Sequence, residues 1–221
     1  AVHPPVGLAV SGVILAGGLS RRLGRDKAVE RIGGQPLIQR VIQRVEQVSQ
    51  EIVVVVSDQN RAAGLPLGQK NRVVLDRYPG TGSLGGIFSG LDASSNGWIL
   101  VVACDMPFLS ASFLRYLLSI ETHADAIIPK SEAGYHPLCA LYSRRCEVKI
   151  HQSLTAGNLV IKDFLNKINI HEIGPQKIAQ YDPFDAILLN VNTPHDYEHA
   201  RSLAPIIDKK TSKNSTADKI S

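Results

Sequence analysis

The chain has 221 residues, a length that suits one α/β domain of roughly 200 residues with ragged ends better than two domains. Its 24 Lys and Arg against 20 Asp and Glu leave a formal charge of +4, which suits a small anionic substrate and argues against a duplex-binding face. Three cysteines without a C-x-x-C pair argue against a disulfide framework or a zinc site; with no apolar run near ~18 residues and no basic-then-apolar leader in Ala1–Ala9, a soluble, cytoplasmic protein is expected.

In chain order, short apolar runs alternate with helical patterns, which predicts βαβ units on a mostly parallel sheet and an α/β fold. Val10–Ala16 reads as the first strand, and Pro36–Val48 as a helix with Leu37, Ile38, Val41, Ile42, Val45 and Val48 on one face. Ile52–Val56 is a β-branched run expected to be buried on both sides, and Asn71–Leu75 is a third strand. A helix is expected over Leu84–Ala93, a fully apolar strand over Trp98–Ala103, and a helix capped by Ser110 or Ser112 that ends at Ile120. Ala126–Ile128 and Leu138–Tyr142 are short strands; Arg144–Leu154 and Asn158–Asn166 are helices. Ile187–Val191 is expected as a late strand, followed by a helix capped by Thr193 with Pro194 at its first position. Residues 1–207 read as one domain, and the polar stretch 208–221, which holds four lysines, as a disordered tail.

The strongest local signal follows the first strand: Leu15-Ala16-Gly17-Gly18-Leu19-Ser20-Arg21-Arg22-Leu23-Gly24-Arg25-Asp26-Lys27. Gly17 and Gly18 let backbone approach a ligand with no Cβ in the way, and the segment then supplies several cations at the C-terminal end of a strand. Bare N–H groups and cations in that place suit a triphosphate. A tight turn with solvated arginines explains the Gly-Gly pair, but not the four cations Arg21, Arg22, Arg25 and Lys27 behind it. The spacing is neither G-x-G-x-x-G nor G-x-x-x-x-G-K-[ST], which excludes the two commoner phosphate loops.

Three further segments carry chemistry. Asp105, in Cys104-Asp105-Met106-Pro107, ends the apolar strand where an open α/β sheet meets its ligand and offers the hard oxygen that Mg²⁺ prefers; a turn or capping aspartate reads equally well from the residues alone. Asp76 opens a stretch with four glycines, through Gly86, that can lie against a flat base or ribose, or can be a surface loop capped by Ser83. Asn190 and Asn192 alternate along the expected late strand and would present both amides to one side, with a capping role for Asn192 or Thr193 as the alternative. His136 before Pro137 reads as structural, and Cys104 as packing.

These segments together resemble a known family. The turn matches L-A-G-G-x-S-x-R-[ML]-G-x-x-K, the signature of nucleotidyltransferases built on a three-layer, Rossmann-like sheet of the nucleotide-diphospho-sugar transferase kind, and it most resembles the molybdenum cofactor guanylyltransferases. The resemblance implies transfer of GMP from GTP to the phosphate of molybdopterin, with Mg²⁺ as cofactor and pyrophosphate released. It implies that Leu15, Ala16, Gly17 and Gly18 hold the nucleotide, that Arg22 and Lys27 meet the phosphates, that Asp105 binds the metal, and that Asp76 accepts from the guanine N1–H and amino group. Asn190 and Asn192, in a match to N-V-N-T-P, would serve the acceptor. The implied partners are GTP, a molybdopterin-type acceptor and, transiently, other proteins of cofactor biosynthesis, with no nucleic acid and no membrane.

Two departures stand out. Ser83 replaces a frequent Pro, and Asn158–Asp163 keeps Lys162 as its only cation where relatives often carry arginines, which puts the acceptor in question. A cytidylyl- or sugar-phosphate transferase of the same fold, or a non-catalytic GTP-binding adaptor, are the alternatives.

Overall fold

The computed structural model describes residues 9–18 and 26–217, with side chains up to 210. In chain order come β1 (Val10–Leu15), a 3₁₀ turn (Lys27–Val29), the hairpin of β2 (Arg31–Ile32) and β3 (Gln35–Pro36), and α1 (Leu37–Val45). Next are β4 (Glu51–Val56), α2 (Gln59–Ala63), β5 (Asn71–Leu75), α3 (Ser83–Ala93), β6 (Trp98–Ala103) and α4 (Ala111–Leu118). The second half holds β7 (Ala126–Ser131), β8 (Gly134–Tyr135), β9 (Cys139–Ser143), α5 (Cys146–Thr155), α6 (Ile161–Leu165), β10 (Ile170–Ile173), α7 (Pro175–Ala179) and α8 (Pro194–Ala217).

The main sheet has the order β10-β7-β9-β6-β1-β4-β5, with β8 added to β7. β1 lies parallel to both β4 and β6, β4 parallel to β5, and β9 runs antiparallel between β6 and β7. The chain therefore works outward from β1 to β5, then returns to the other side of β1 as β6. Loops at the C-terminal ends of β1 and β6 diverge there and leave a crevice.

Alternation along the strands builds two cores. Val10, Ile14, Val54, Leu100 and Val102 pack with Ile38, Val41 and Val45 of α1 and with Phe113, Leu114 and Leu117 of α4. Val13, Val53, Val55, Ile99 and Val101 pack on the other face with Leu84, Ile87 and Leu91 of α3 and Ile150 and Leu154 of α5. Strands buried on both faces between helix layers make the three-layer arrangement that the run of β-branched residues predicts. Ser110 caps α4, its Oγ accepting from the Phe113 N–H at 3.3 Å. Thr193 caps α8 from its Oγ1, and the Asp196 carboxylate answers by accepting from the Thr193 and Asn192 N–H groups.

Gly90 is where α3 presses closest on β1. A Cβ built there would sit 2.5 Å from Val13 Cγ1, in a position with no room to yield between sheet and helix. Gly90→Ala should therefore cost about 1–3 kcal/mol by overpacking, read as a lower denaturant midpoint with unchanged slope. An unchanged midpoint would mean that the helix can retreat.

In the second half, Asp125 pins three elements. Its carboxylate accepts from the Asn169 N–H (3.1 Å), Arg145 Nε (3.1 Å) and Lys149 Nζ (3.1 Å), joining β7, α5 and the entry to β10. Burial would raise this carboxyl's pKa, but the Asn169 amide, Lys149 and Arg145 together hold it below the ordinary range.

Several expectations need correction. The strand over Ile187–Val191 is not formed; the segment is turn and irregular chain. The Val191 N–H donates to the Asp105 carbonyl (2.9 Å), so the run is apolar because Ile187 and Val191 each pack into a core, not because it lies in a sheet. Asn190 and Asn192 are consequently not side by side on a strand. The helix over Asn158–Asn166 shortens to α6, and α8 runs past Asp208 to Ala217. The reason lies in Arg40, almost fully buried on α1, whose guanidinium donates to both Asp208 oxygens at 2.6 and 3.1 Å. The β2–β3 hairpin, α2, β8, β10 and α7 carry no clear periodicity and are seen only in the fold.

Candidate functional site

The crevice between the ends of β1 and β6 opens into a cavity of about 460 Å³. Leu15, Gly17, Gly18, Lys27, Asp76 and Asp105 all line it, so six residues from four separate segments of the sequence converge on one space. Arg22, with Leu19–Arg25 as a whole, lies outside the described residues.

Asp105 leaves β6 into the mouth of the cavity, and its carbonyl is tied to Val191. Lys27 Nζ donates to Asp105 Oδ2 at 3.2 Å, while Asp105 Oδ1 is buried and has no hydrogen-bond partner among the described residues. Burial pushes the Asp105 carboxyl above its ordinary value, with Lys27 opposing and the nearby Asp196 charge adding to the rise. A carboxylate in this condition is short of positive charge, since transfer from water is repaid only on one of its two oxygens. Lys27 also donates a short hydrogen bond to Asn192 Oδ1. Asn192 thus reaches the site through the lysine and does not itself line the cavity, and its backbone is held by Asp196. Asn190 turns away and donates from Nδ2 to the Leu188 carbonyl at 3.3 Å.

Both described ends of the glycine-rich turn are held by one residue that sequence reading misses. Arg61, on α2, is buried; its Nε donates to the Ala16 carbonyl at 2.8 Å, and its Nη1 forms a short ion pair with Asp26. Asp26 in turn caps the 3₁₀ turn by accepting from the Ala28 N–H at 3.0 Å, which places Lys27. The only local hint is an arginine in a helix whose other residues are small or polar. Ala16 itself is buried rather than a lining residue: its N–H donates to the Val55 carbonyl at 2.8 Å. Gly17 passes so close to the end of β4 that a Cβ would stand 3.2 Å from the Ser57 nitrogen, whereas Gly18 has open space around it.

Asp76 closes the far wall beyond β5. Its Oδ1 accepts from the Tyr78 N–H at 3.0 Å and from Ser89 Oγ at 2.9 Å, which fixes the plane of the carboxylate. Gly80 and Gly82, with φ of 84° and 71°, shape the adjoining loop in a conformation that a Cβ would strain. Ser83 begins α3 after an N-cap at Gly82, so it does not act as the cap. Of the four residues following β4, Ser57 lines the cavity and Asp58 instead caps α2 by accepting from the Arg61 N–H.

The remaining candidates are structural in their contacts. His136 Nε2 meets Ser131 Oγ at 2.7 Å, its N–H donates to the Pro129 carbonyl, and burial lowers its pKa. Burial pushes all three thiols up to about 12, with the Asp105 charge adding to the effect at Cys104, so they are inert packing groups. Among the described residues no cluster of three or more His, Cys, Asp and Glu is arranged to hold a metal, and no helix is long and apolar enough to cross a membrane.

Known proteins match this arrangement closely. Residues 12–171 match the MobA-like NTP transferase domain. A molybdenum cofactor guanylyltransferase from Desulfosudis oleivorans is 36% identical over 199 residues, spanning 88% of this chain and 95% of that one. The crystal structure of molybdopterin-guanine dinucleotide biosynthesis protein A from Archaeoglobus fulgidus superimposes with a TM-score of 0.77 at 27% identity, covering 88% of this chain and 98% of the other. The 2-C-methyl-D-erythritol 4-phosphate cytidylyltransferase from Thermus thermophilus shares the fold with a TM-score of 0.67 at 16% identity, over 90% and 100% of the two chains. With its Rossmann-like sheet and its crevice at the ends of β1 and β6, the chain is a nucleotidyltransferase and belongs to the MobA-like NTP transferase family.

Proposed function

We propose that the protein transfers GMP from GTP to the phosphate of a molybdopterin-type acceptor and releases pyrophosphate, forming the guanine dinucleotide cofactor. The observation that supports this most is the buried Asp105 Oδ1, without a partner among the described residues and set beside the Lys27 ammonium at the mouth of the crevice. Such an oxygen fits a Mg²⁺ ion, which takes one or two carboxylates and completes its shell from phosphates and water. The ion would be held by Asp105 and would supply charge neutralisation across the triphosphate oxygens.

The protein's own groups do the rest by positioning. An acceptor phosphate oxygen attacks the α-phosphorus in line; that P–O bond forms while the bond to the pyrophosphate oxygen breaks, and pyrophosphate carries away the charge. Lys27 holds Asp105 and turns its ammonium to the phosphates, balancing charge that grows in the transition state. Arg22 makes a second phosphate contact from the turn. Leu15 packs against the base and ribose, and the Gly17–Gly18 backbone follows them closely. Arg61 keeps the two ends of the turn in register for this. Asn192 steadies Lys27, and the site lies in the cytoplasm, where the three buried thiols stay reduced.

Guanine selection falls to Asp76. With Oδ1 occupied by Tyr78 and Ser89, Oδ2 keeps its lone pairs for the two donors of the guanine edge. Asp76→Asn retains an acceptor for Tyr78 and Ser89 but turns an NH₂ toward guanine. It should weaken GTP binding at least tenfold, about 1.4 kcal/mol, by titration calorimetry, and leave CTP binding unchanged. Equal affinity for GTP in the variant would remove Asp76 from base recognition. The reading as a whole is tested by measuring pyrophosphate release from GTP, CTP and UTP with and without molybdopterin. Release with CTP instead would favour the cytidylyl alternative, and GTP binding without any release would favour an adaptor.

A further inference from the structure

A second cavity, of about 530 Å³, lies against α1 and α4 and shares no lining residue with the nucleotide crevice. Its volume falls within the range of ligand pockets, roughly 300–1,000 Å³. Four cations line it, Arg40, Arg44, Arg115 and Lys210, against the single carboxylate of Asp182. That carboxylate is already engaged, accepting from the Ala186 N–H (2.8 Å) and the Ile187 N–H (3.0 Å).

The cations are not equally available. Arg40 is committed to Asp208 and to the Pro107 and Ile32 carbonyls. Lys210 lies over the Phe184 ring, 5.0 Å from its centroid. Arg44 and Arg115 have neither an ion pair nor a side-chain hydrogen bond among the described residues. Arg44 is half-buried beside Arg40; burial and that like charge lower its pKa, and the Asp208 carboxylate, already gripped by Arg40, only partly offsets them. A guanidinium prefers a planar or tetrahedral oxyanion that it can grip with two N–H groups. At the cavity rim the first turn of α4 adds the Ser110 and Ser112 hydroxyls, which meet at 2.7 Å.

Apart from Gln47, the remaining lining is apolar, and Phe108, Tyr181, Pro183 and Phe184 give it flat faces. Tyr181 is itself fixed by stacking on Tyr116, with centroids 5.1 Å apart. We propose that this cavity is a second ligand site, for a small molecule that carries a phosphate on a flat apolar ring, with Arg44 and Arg115 gripping the anion and the aromatic wall taking the ring. Its position is distinct from that of GTP, yet its floor, Pro107–Ser110, is the chain that continues from Asp105.

The experiment is calorimetric titration of phenyl phosphate into the full chain, with inorganic phosphate in a parallel arm. Phenyl phosphate should bind at least about tenfold more tightly than inorganic phosphate, because only the former uses the aromatic wall. Arg44→Glu should weaken it at least tenfold, and so should Arg115→Glu, whose exposed position leaves folding and GTP-dependent pyrophosphate release intact. Lys27→Ala, in the other cavity, should leave phenyl phosphate affinity within about twofold. The proposal is overturned if phenyl phosphate does not bind, if Arg115→Glu binds it as well as the unaltered protein, or if Lys27→Ala is the substitution that abolishes binding.

Discussion

Lys27→Ala lowers turnover at saturating GTP at least tenfold, about 1.4 kcal/mol of transition-state stabilisation. Loss in kcat, and not only a higher KM, is the expected pattern, because the ammonium beside Asp105 balances charge that grows in the transition state. The pH profile should move as well. Burial raises the Asp105 carboxyl and Lys27 opposes that rise, while the reaction needs the carboxylate. Without the lysine the carboxyl rises further and is protonated at a higher pH, so the acidic limb of kcat/KM shifts upward in pH. Unchanged kcat with an unmoved limb would place Lys27 outside the reaction.

Asp105→Asn should cost more, at least a hundredfold in turnover, about 2.7 kcal/mol, and should abolish the dependence on a divalent ion. Stability should move the other way. The folded pKa lies above the unfolded one, so the charged carboxylate costs stability at pH above both values, and that cost fades as pH falls from the folded value to the unfolded one and is gone below it. A neutral amide removes it. The variant should therefore unfold at the same or a higher temperature at neutral pH and match the unaltered protein near pH ~3. Low activity caused by a lower melting temperature would count against a catalytic role for Asp105.

The acceptor half tells a complementary story. Lys162 is exposed on α6 and is the only cation in residues 158–163. Gly90, Asp125 and Arg40 instead show how the scaffold is held: close helix–strand approach, a carboxylate that bridges three elements, and a buried cation answered from α8.

Much of this was readable from residue order alone. β6 has the predicted bounds, and β1 and β4 differ by a residue, because strands buried on both faces leave an unbroken apolar run that no exposed element can imitate; β5, a partly exposed edge strand, also has the predicted bounds. Leu15, Gly17, Gly18, Lys27, Asp76 and Asp105 line one cavity for a related reason: each sits at the end of a strand or in the glycine-rich turn that follows one, and parallel strands deliver those ends to one edge. The Ile187–Val191 run misled because burial against helices and burial in a sheet ask for the same apolar residues. Pairings across the chain could not be read at all. Lys27 meets Asp105 and Asn192 at separations of 78 and 165 residues, and Arg61 reaches back to Ala16 and Asp26. Periodicity reports which side of an element is dry, whereas these contacts depend on strand order and on where each loop comes to rest, and both are settled only when the whole sheet packs.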